Sequence, residues 1–179
     1  MANKEGSFKL IGIVMAISVL IALLWNQLPW LKSAIHSVLD PSAGALLGWN
    51  LTLGMLIIVL IISLFTTIVQ KYATDQKTLK ELKKESKEIQ KKMKELEKGS
   101  KEYSELTINS MKLLPRQMKL SMRAVAYTGV PFILLFRWFN DYFIAAGSPH
   151  FLGFLSWFWF YLLATLIFSG FLRKWFDVV

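Results

Sequence analysis

Polar side chains able to hydrogen-bond inside a bilayer gather at one depth of this apolar chain. Ser63, Thr66, Thr67 and Gln70 close one hydrophobic stretch, Ser121, Arg123, Tyr127 and Thr128 open another, and Ser169 lies toward the end of a third. The chemistry they offer is solvation rather than bond-making. Hydroxyls, an amide and a guanidinium can hold water or the polar flank of a peptide, or they can join helices at about 0.6 kcal/mol per interhelical hydrogen bond. Arg123 is the costly member, because a guanidinium inside a span costs a few kcal/mol on insertion scales and either snorkels to the interface or faces a hydrated groove. Met111, Met118 and Met122 form a flexible apolar stripe nearby. An unbranched thioether repacks around varied partners, which suits contact with diverse hydrophobic helices or ordinary filling of a core.

No catalytic constellation accompanies them. The chain lacks a glycine-rich phosphate loop, paired intramembrane carboxylates, a His-Glu helix motif and a nucleophile with a base at workable spacing, so an enzyme is not expected. Zero cysteines remove disulfides and thiolate metal sites. His36 and His150 sit in separate flanks without a carboxylate pattern, and neither a metal nor another cofactor is expected.

The elements that position these residues follow from hydropathy. Of 179 residues 54% are hydrophobic, and they come in blocks, which marks an all-α integral membrane protein. Candidate spans run Leu10 to Leu28, Leu46 to Val69, Met118 to Phe139 and Phe151 to Leu172, each near the roughly 20 helical residues that a hydrocarbon core requires. Backbone in lipid must satisfy itself, so each is read as a helix. Lys4 and Lys9 before the first apolar run resemble a signal peptide, but no small-x-small cleavage site follows, and Trp25, Gln27, Pro29 and Trp30 look like an interface anchor. A retained signal anchor is therefore expected, with cleavage as the alternative.

Between the second and third spans lies a basic heptad segment. Leu79, Leu82, Ser86, Ile89, Met93 and Leu96 follow the 3,4 spacing of a coiled-coil seam, Gly99-Ser100 interrupts it, and Tyr103, Leu106, Ser110 and Leu113 resume it. An antiparallel hairpin is predicted. Pro115 is expected to mark the junction with the third span, since proline is tolerated in a first helical turn, whereas Pro131 falls mid-span.

Residues 71–123 carry a local net charge of +7 out of +9 overall. Loops rich in Lys and Arg stay inside the cell, so the hairpin and both termini are expected to be cytoplasmic. Lys80, Lys83, Lys84, Lys87, Lys91, Lys92, Lys94, Lys98 and Lys101 exceed what pairing with neighbouring glutamates needs. They can form a solvated face, or attract anionic lipid or the phosphates of ribosomal RNA without reading sequence. At the outer end of the third span Arg137, Trp138, Asn140 and Asp141 are expected to form a structural anchor, which an Arg137–Asp141 pair at i,i+4 can strengthen.

The expected organisation is a signal-anchor-like helix and external linker over 1–45, a first core helix over 46–70, and a cytoplasmic coiled-coil hairpin over 71–117. A second core helix over 118–140, an external connection over 141–150, and a third core helix with cytoplasmic tail over 151–179 complete it.

This order of elements resembles the YidC/Oxa/Alb superfamily of membrane insertases, in particular its small archaeal YidC-like branch (domain of unknown function 106) and subunit 3 of the endoplasmic reticulum membrane protein complex. The likeness covers roughly Leu46 to Trp175. It is carried by Thr66-Thr67-Ile68-Val69-Gln70-Lys71 running into the hairpin, Gln117-Met118-Lys119 after Pro115, and Pro131-Phe132-Ile133-Leu134-Leu135-Phe136-Arg137-Trp138-Phe139. The resemblance implies three core spans around a hydrophilic groove open to the cytoplasm and the lipid, with Ser63, Thr66, Thr67, Gln70, Ser121, Arg123 and Tyr127 as its lining and Met111, Met118 and Met122 as apolar substrate contacts. It also implies nascent membrane proteins as substrates, a ribosome or targeting factor recruited by the hairpin, a possible partner membrane subunit, and a plasma-membrane location. In bacterial members the groove arginine lies on the first core span. Here Leu51 to Val69 holds no basic residue, and Arg123 is offered as a substitute that does not match the family's position. The alternatives are a membrane-anchored coiled-coil scaffold without a wet groove and a small ion channel.

Overall fold

The computed structural model describes residues 8–178, which are helical apart from turns and an isolated bridge between Phe151 and Leu155. Lys4 lies outside the described residues. The order is α1 (Phe8–Leu24), a 3-10 turn (Trp25–Gln27), α2 (Pro29–Leu39), a π turn (Asp40–Gly44), α3 (Ala45–Trp49), α4 (Leu51–Ala73), α5 (Gln76–Glu95), α6 (Lys101–Ala145) and α7 (Trp157–Trp175).

The first apolar run does not stay straight to Leu28. Pro29 biases Leu28 out of the helical region, and the segments on either side meet at 95°. What reads in the sequence as a span followed by a linker is therefore a helical elbow. α1 packs along α6, and Gly129 allows the approach: a Cβ there would lie 3.3 Å from Val14 and 3.6 Å from Ser18.

Asn50 starts α4 by accepting the Leu53 N–H at 2.9 Å, and Asp75 starts α5 by accepting that of Thr78 at 3.2 Å. At the far end of α5 the chain reverses through Gly99, whose φ of 103° suits glycine, and Ser100 caps α6 by accepting from Tyr103 N at 3.1 Å. α5 then packs along the first part of α6. Leu79, Leu82, Leu113 and Leu120 bury together with Ile89 at the edge, and Gln117 Nε2 donates to the Leu82 carbonyl at 3.1 Å. Ser86, Met93, Leu96, Tyr103, Leu106 and Ser110 are half-buried while the lysines around them are exposed.

α6 is one helix of 45 residues, about 68 Å long at 1.5 Å per residue. Pro115 does not divide it. Both Pro115 and Pro131 lie inside the helix on its exposed side, where the missing N–H leaves a carbonyl without burying it in the core. The hairpin arm and the apolar segment beyond it thus belong to one continuous helix, with no break at Pro115.

Away from the hairpin, α4, α6 and α7 converge on an aromatic core. Trp138, Phe139, Phe143 and Phe151 are nearly fully buried beside Phe160, Tyr161, Met55 and Val59. Their rings stack in offset and edge-on pairs, with Phe151 and Phe160 at 4.6 Å and Phe136 and Tyr161 at 5.0 Å between centroids. Gly54 lets α3 fold against α4, since a Cβ there would sit 2.9 Å from Leu47 N and closer still to the Leu46 carbonyl.

α4 and α6 are long and apolar enough to cross a membrane, and the bent pair of residues 11–27 and 29–49 makes a third if taken as one span. Of the four spans read from hydropathy, two among the described residues, or three with the bent pair, meet that requirement of length and composition. The described part of α1 covers 17 residues, and Arg173 and Lys174 occupy the last turn of the 19-residue α7.

Candidate functional site

The buried stripe of α4 changes chemistry halfway along. Met55 and Val59 pack into the aromatic core, and at the same four-residue spacing Ser63 and Thr67 follow, 1% and 2% exposed, with half-buried Gln70 and buried Thr74 continuing toward the hairpin. Small polar groups take over where bulky apolar ones stop. On α6 the matching stripe is Leu120, Ala124 and Thr128, all buried.

The hydroxyls mostly bond back to their own helices. Thr67 Oγ1 donates to the Ser63 carbonyl and Thr66 Oγ1 to that of Ile62, both at 2.7 Å, and Thr128 Oγ1 donates to the Ala124 carbonyl at 3.1 Å. Other atoms find nothing. Ser63 Oγ, Gln70 Oε1, Thr74 Oγ1 and Arg123 Nη1 are shielded from solvent without a hydrogen-bond partner. Ser18 Oγ, Arg137 Nε and Thr165 Oγ1 are also without a protein partner, so four of the seven such atoms among the described residues lie toward the hairpin. An unmet buried polar group costs about 1–3 kcal/mol, and water or a substrate's polar groups are what can satisfy these.

Beside that stripe, α4 and α6 part to form a lateral groove of about 490 Å3. Ile61, Phe65, Pro131, Phe132 and Leu135 line its walls, and Ile35 and Leu39 of α2 close one end. Thr128 is its polar exception, linking it to the buried stripe. The sequence reading missed this groove, because its walls come from three elements whose apolar residues look alike one by one.

The other predicted site residues fall unevenly. Ser121, Arg123 and Met122 are half-buried, whereas Tyr127, Met111 and Met118 are exposed at 53%, 63% and 49%. Tyr127 thus lies outside the buried stripe, one helical turn from Arg123. Of the predicted lysines, Lys83, Lys84, Lys87, Lys91, Lys92, Lys94, Lys98 and Lys101 are exposed, while Lys80 is half-buried and paired with Asp177. Thr74 was also missed, although it continues the spacing of Thr67 and Gln70.

At the opposite end of α6 a second polar cluster fastens the elbow. Asp141 accepts from Trp25 Nε1 at 2.7 Å and Lys32 Nζ at 2.9 Å, and His36 lies between Asp141 at 3.4 Å and Asp40 at 3.1 Å. The expected Arg137–Asp141 pair does not form. Arg137 instead lies 5.9 Å over the Trp25 ring, because the elbow brings better-placed partners to the carboxylate. His36 is likewise not isolated from carboxylates, and its i,i+4 spacing to Asp40 was the signal for it. Among the described residues no three His, Cys, Asp or Glu side chains converge as a metal-binding set.

Helices that expose Leu23, Leu166 and Phe171 at 65–74% while burying polar atoms between them define an integral membrane protein. A family model of EMC3/TMCO1-like integral membrane proteins matches residues 36–150. The chain belongs to that family, in keeping with its resemblance to the YidC/Oxa/Alb superfamily and to subunit 3 of the endoplasmic reticulum membrane protein complex. The match runs from the end of α2 to the turn before α7, so it includes both walls of the lateral groove and the whole hairpin. No curated protein and no solved structure matches the chain.

Proposed function

We propose that the protein is an energy-independent insertase for membrane proteins, working without covalent catalysis. The observation that carries this reading is the run of unpartnered polar atoms at Ser63, Gln70, Thr74 and Arg123, set beside an apolar lateral groove with Thr128 between them. The polar run meets the apolar groove at the level of Ser63 and Thr128 and extends from there toward the hairpin.

In this mechanism, water enters from the hairpin side along the α4–α6 interface and lowers the cost of carrying a substrate's polar flank into the bilayer. The substrate's hydrophobic segment occupies the lateral groove against Phe65 and Phe132 and then passes into lipid. Its own burial, about 0.8 kcal/mol per CH2, drives the step without nucleotide hydrolysis. Met118 and Met122 line the approach and adapt to different segments.

In this reading α1, α4, α6 and α7 span a plasma membrane and the hairpin and C-terminal tail face the cytoplasm, an orientation that the concentration of Lys and Arg in the hairpin supports. The seam from Leu79 to Leu113 extends as a coiled coil to its tip, and its exposed lysines recruit a ribosome or a targeting factor through sequence-independent contacts. A partner membrane subunit can cover the open side of the groove.

The test is reconstitution of the full chain in liposomes with a nascent membrane protein carrying a photocrosslinker in its hydrophobic segment. Crosslinks to Phe65 and Phe132, with insertion lost in Thr67→Leu and Arg123→Leu variants that remain folded, support the insertase. Insertion unaffected by those variants but abolished by Leu82→Asp at the seam points to a scaffold.

A further inference from the structure

Where α4 ends and α5 begins, the tail after α7 passes alongside, and ammonium groups converge. Lys71, Lys77 and Lys80 line a cavity of about 450 Å3 with Tyr72, Phe176 and Asp177. Lys71 Nζ sits 5.5 Å over the Phe176 ring, and Lys80 is paired with Asp177, the only carboxylate among the described residues that line the cavity. Arg173 and Lys174 end α7 close by. Partial desolvation, and then the Arg173 and Lys87 charges, hold the Lys83 ammonium below the usual lysine range. Three ammonium groups thus line the cavity with one carboxylate.

Two exposed stripes fix the depth of this cavity. Ile68 and Tyr72 stand one turn apart on α4, exposed at 37% and 77%, and Phe171 and Trp175 do the same on α7 at 72% and 83%. Each stripe runs from an apolar side chain suited to hydrocarbon to an amphipathic ring suited to the interface, and the basic groups come just beyond. A phosphate carried on acyl chains meets apolar, aromatic and cationic groups in that order. A soluble polyanion approaching from water uses the lysines and leaves the stripes uncovered.

We infer that the cavity between Lys71, Lys77 and Phe176 binds the phosphate headgroup of an anionic phospholipid in the leaflet on the hairpin side, with Asp177 competing for Lys80. Filling it ties the root of the hairpin to the end of α7 and sets the lysines at the root apart from those at the tip. The inference rests on α4 and α7 lying in the membrane, and not on insertion through the polar stripe, so either can fail alone.

The experiment is native mass spectrometry of the full chain in detergent, titrated with phosphatidylglycerol or phosphatidylcholine. Phosphatidylglycerol is expected to stay bound and phosphatidylcholine to leave. At roughly fivefold per basic side chain near a membrane surface, Lys71→Ala with Lys77→Ala weakens retention ~25-fold. Lys94→Ala with Lys98→Ala removes the same charge at the tip and leaves retention unchanged. Lys71→Arg with Lys77→Arg preserves it, and Asp177→Asn raises it severalfold, a gain that misfolding does not produce. Equal loss in the tip variant, equal retention of phosphatidylcholine, or displacement of the lipid by inorganic phosphate would each overturn the inference. Preferential capture of a short RNA over phosphatidylglycerol at Lys71 and Lys77 would do so in favour of nucleic acid.

Discussion

Trp25 Nε1 donates a 2.7 Å hydrogen bond to Asp141 Oδ2, and the bond has a counterpart: Trp138 Nε1 donates at 2.7 Å to Asp40 Oδ1. The elbow gives an indole to α6 and a carboxylate to α6 in exchange. Residues about a hundred positions apart are thereby locked in one register, at the end of the bundle away from the hairpin. The lateral groove is closed there by Ile35 and Leu39 of α2, the helix that lies between the two bonds in the chain.

Trp25→Phe keeps the buried ring and removes its N–H. Asp141 retains Lys32 at 2.9 Å but loses one partner, so stability should fall by about 1–3 kcal/mol, read as a lower thermal midpoint in detergent. Asp141→Leu should cost more, since it leaves the buried Trp25 indole without an acceptor and also removes the Lys32 and His36 contacts. An unchanged midpoint in Trp25→Phe would mean that the bond contributes nothing to holding the elbow.

Two glycines in the same region should behave in opposite ways. Gly54→Ala drives a methyl into the backbone of Leu46 and Leu47 and should cost about 1–3 kcal/mol through overpacking. At Gly48 in α3 a Cβ meets nothing within 4 Å, so Gly48→Ala should be neutral or gain up to about 1 kcal/mol of helix propensity. Paired thermal melts of the two variants decide the matter.

Because the chain has no cysteine, single-cysteine labelling is clean. Ser63→Cys, Gln70→Cys and Thr74→Cys should react with a small, membrane-impermeant thiol reagent added from the hairpin side. Val59→Cys, in the aromatic core and fully buried, should not. Protection at all three polar positions would remove the physical basis of the insertion mechanism.

The hairpin should be far more sensitive at its seam than on its charged face. Leu82→Ala or Leu113→Ala deletes buried packing and should cost about 2–4 kcal/mol, with half-buried Ile89→Ala costing less. Lys91→Ala, at an exposed position, should stay within about 0.5 kcal/mol. Limited proteolysis near Gly99 measures the order, which reverses if charge rather than the seam holds the arms together.

Much of this architecture was legible in the chain because the bilayer and the helix impose local rules. Hydropathy blocks located α4 and the apolar part of α6, and the 3,4 spacing placed Leu79, Leu82 and Leu113 on faces that the structure does bury. Ser63 and Thr67 were legible as polar residues at one depth, and their i,i+4 spacing agrees with the buried face of α4 that the structure gives them. Each of these inferences needs only neighbours within a few turns.

Other features depended on who meets whom across the fold. The chain by itself determined a membrane protein with polar groups at one depth and a basic helical excursion, because hydrophobicity, charge and helical period are properties of contiguous residues. Only the tertiary structure decided that Asp141 pairs with Trp25 and Lys32 instead of Arg137, that Pro115 lies within an unbroken helix, and that α2, α4 and α6 enclose a groove. Those outcomes are settled by competition among distant partners for the same carboxylate or the same apolar face, and the winner depends on how the 95° elbow lays α1 and α2 against α6.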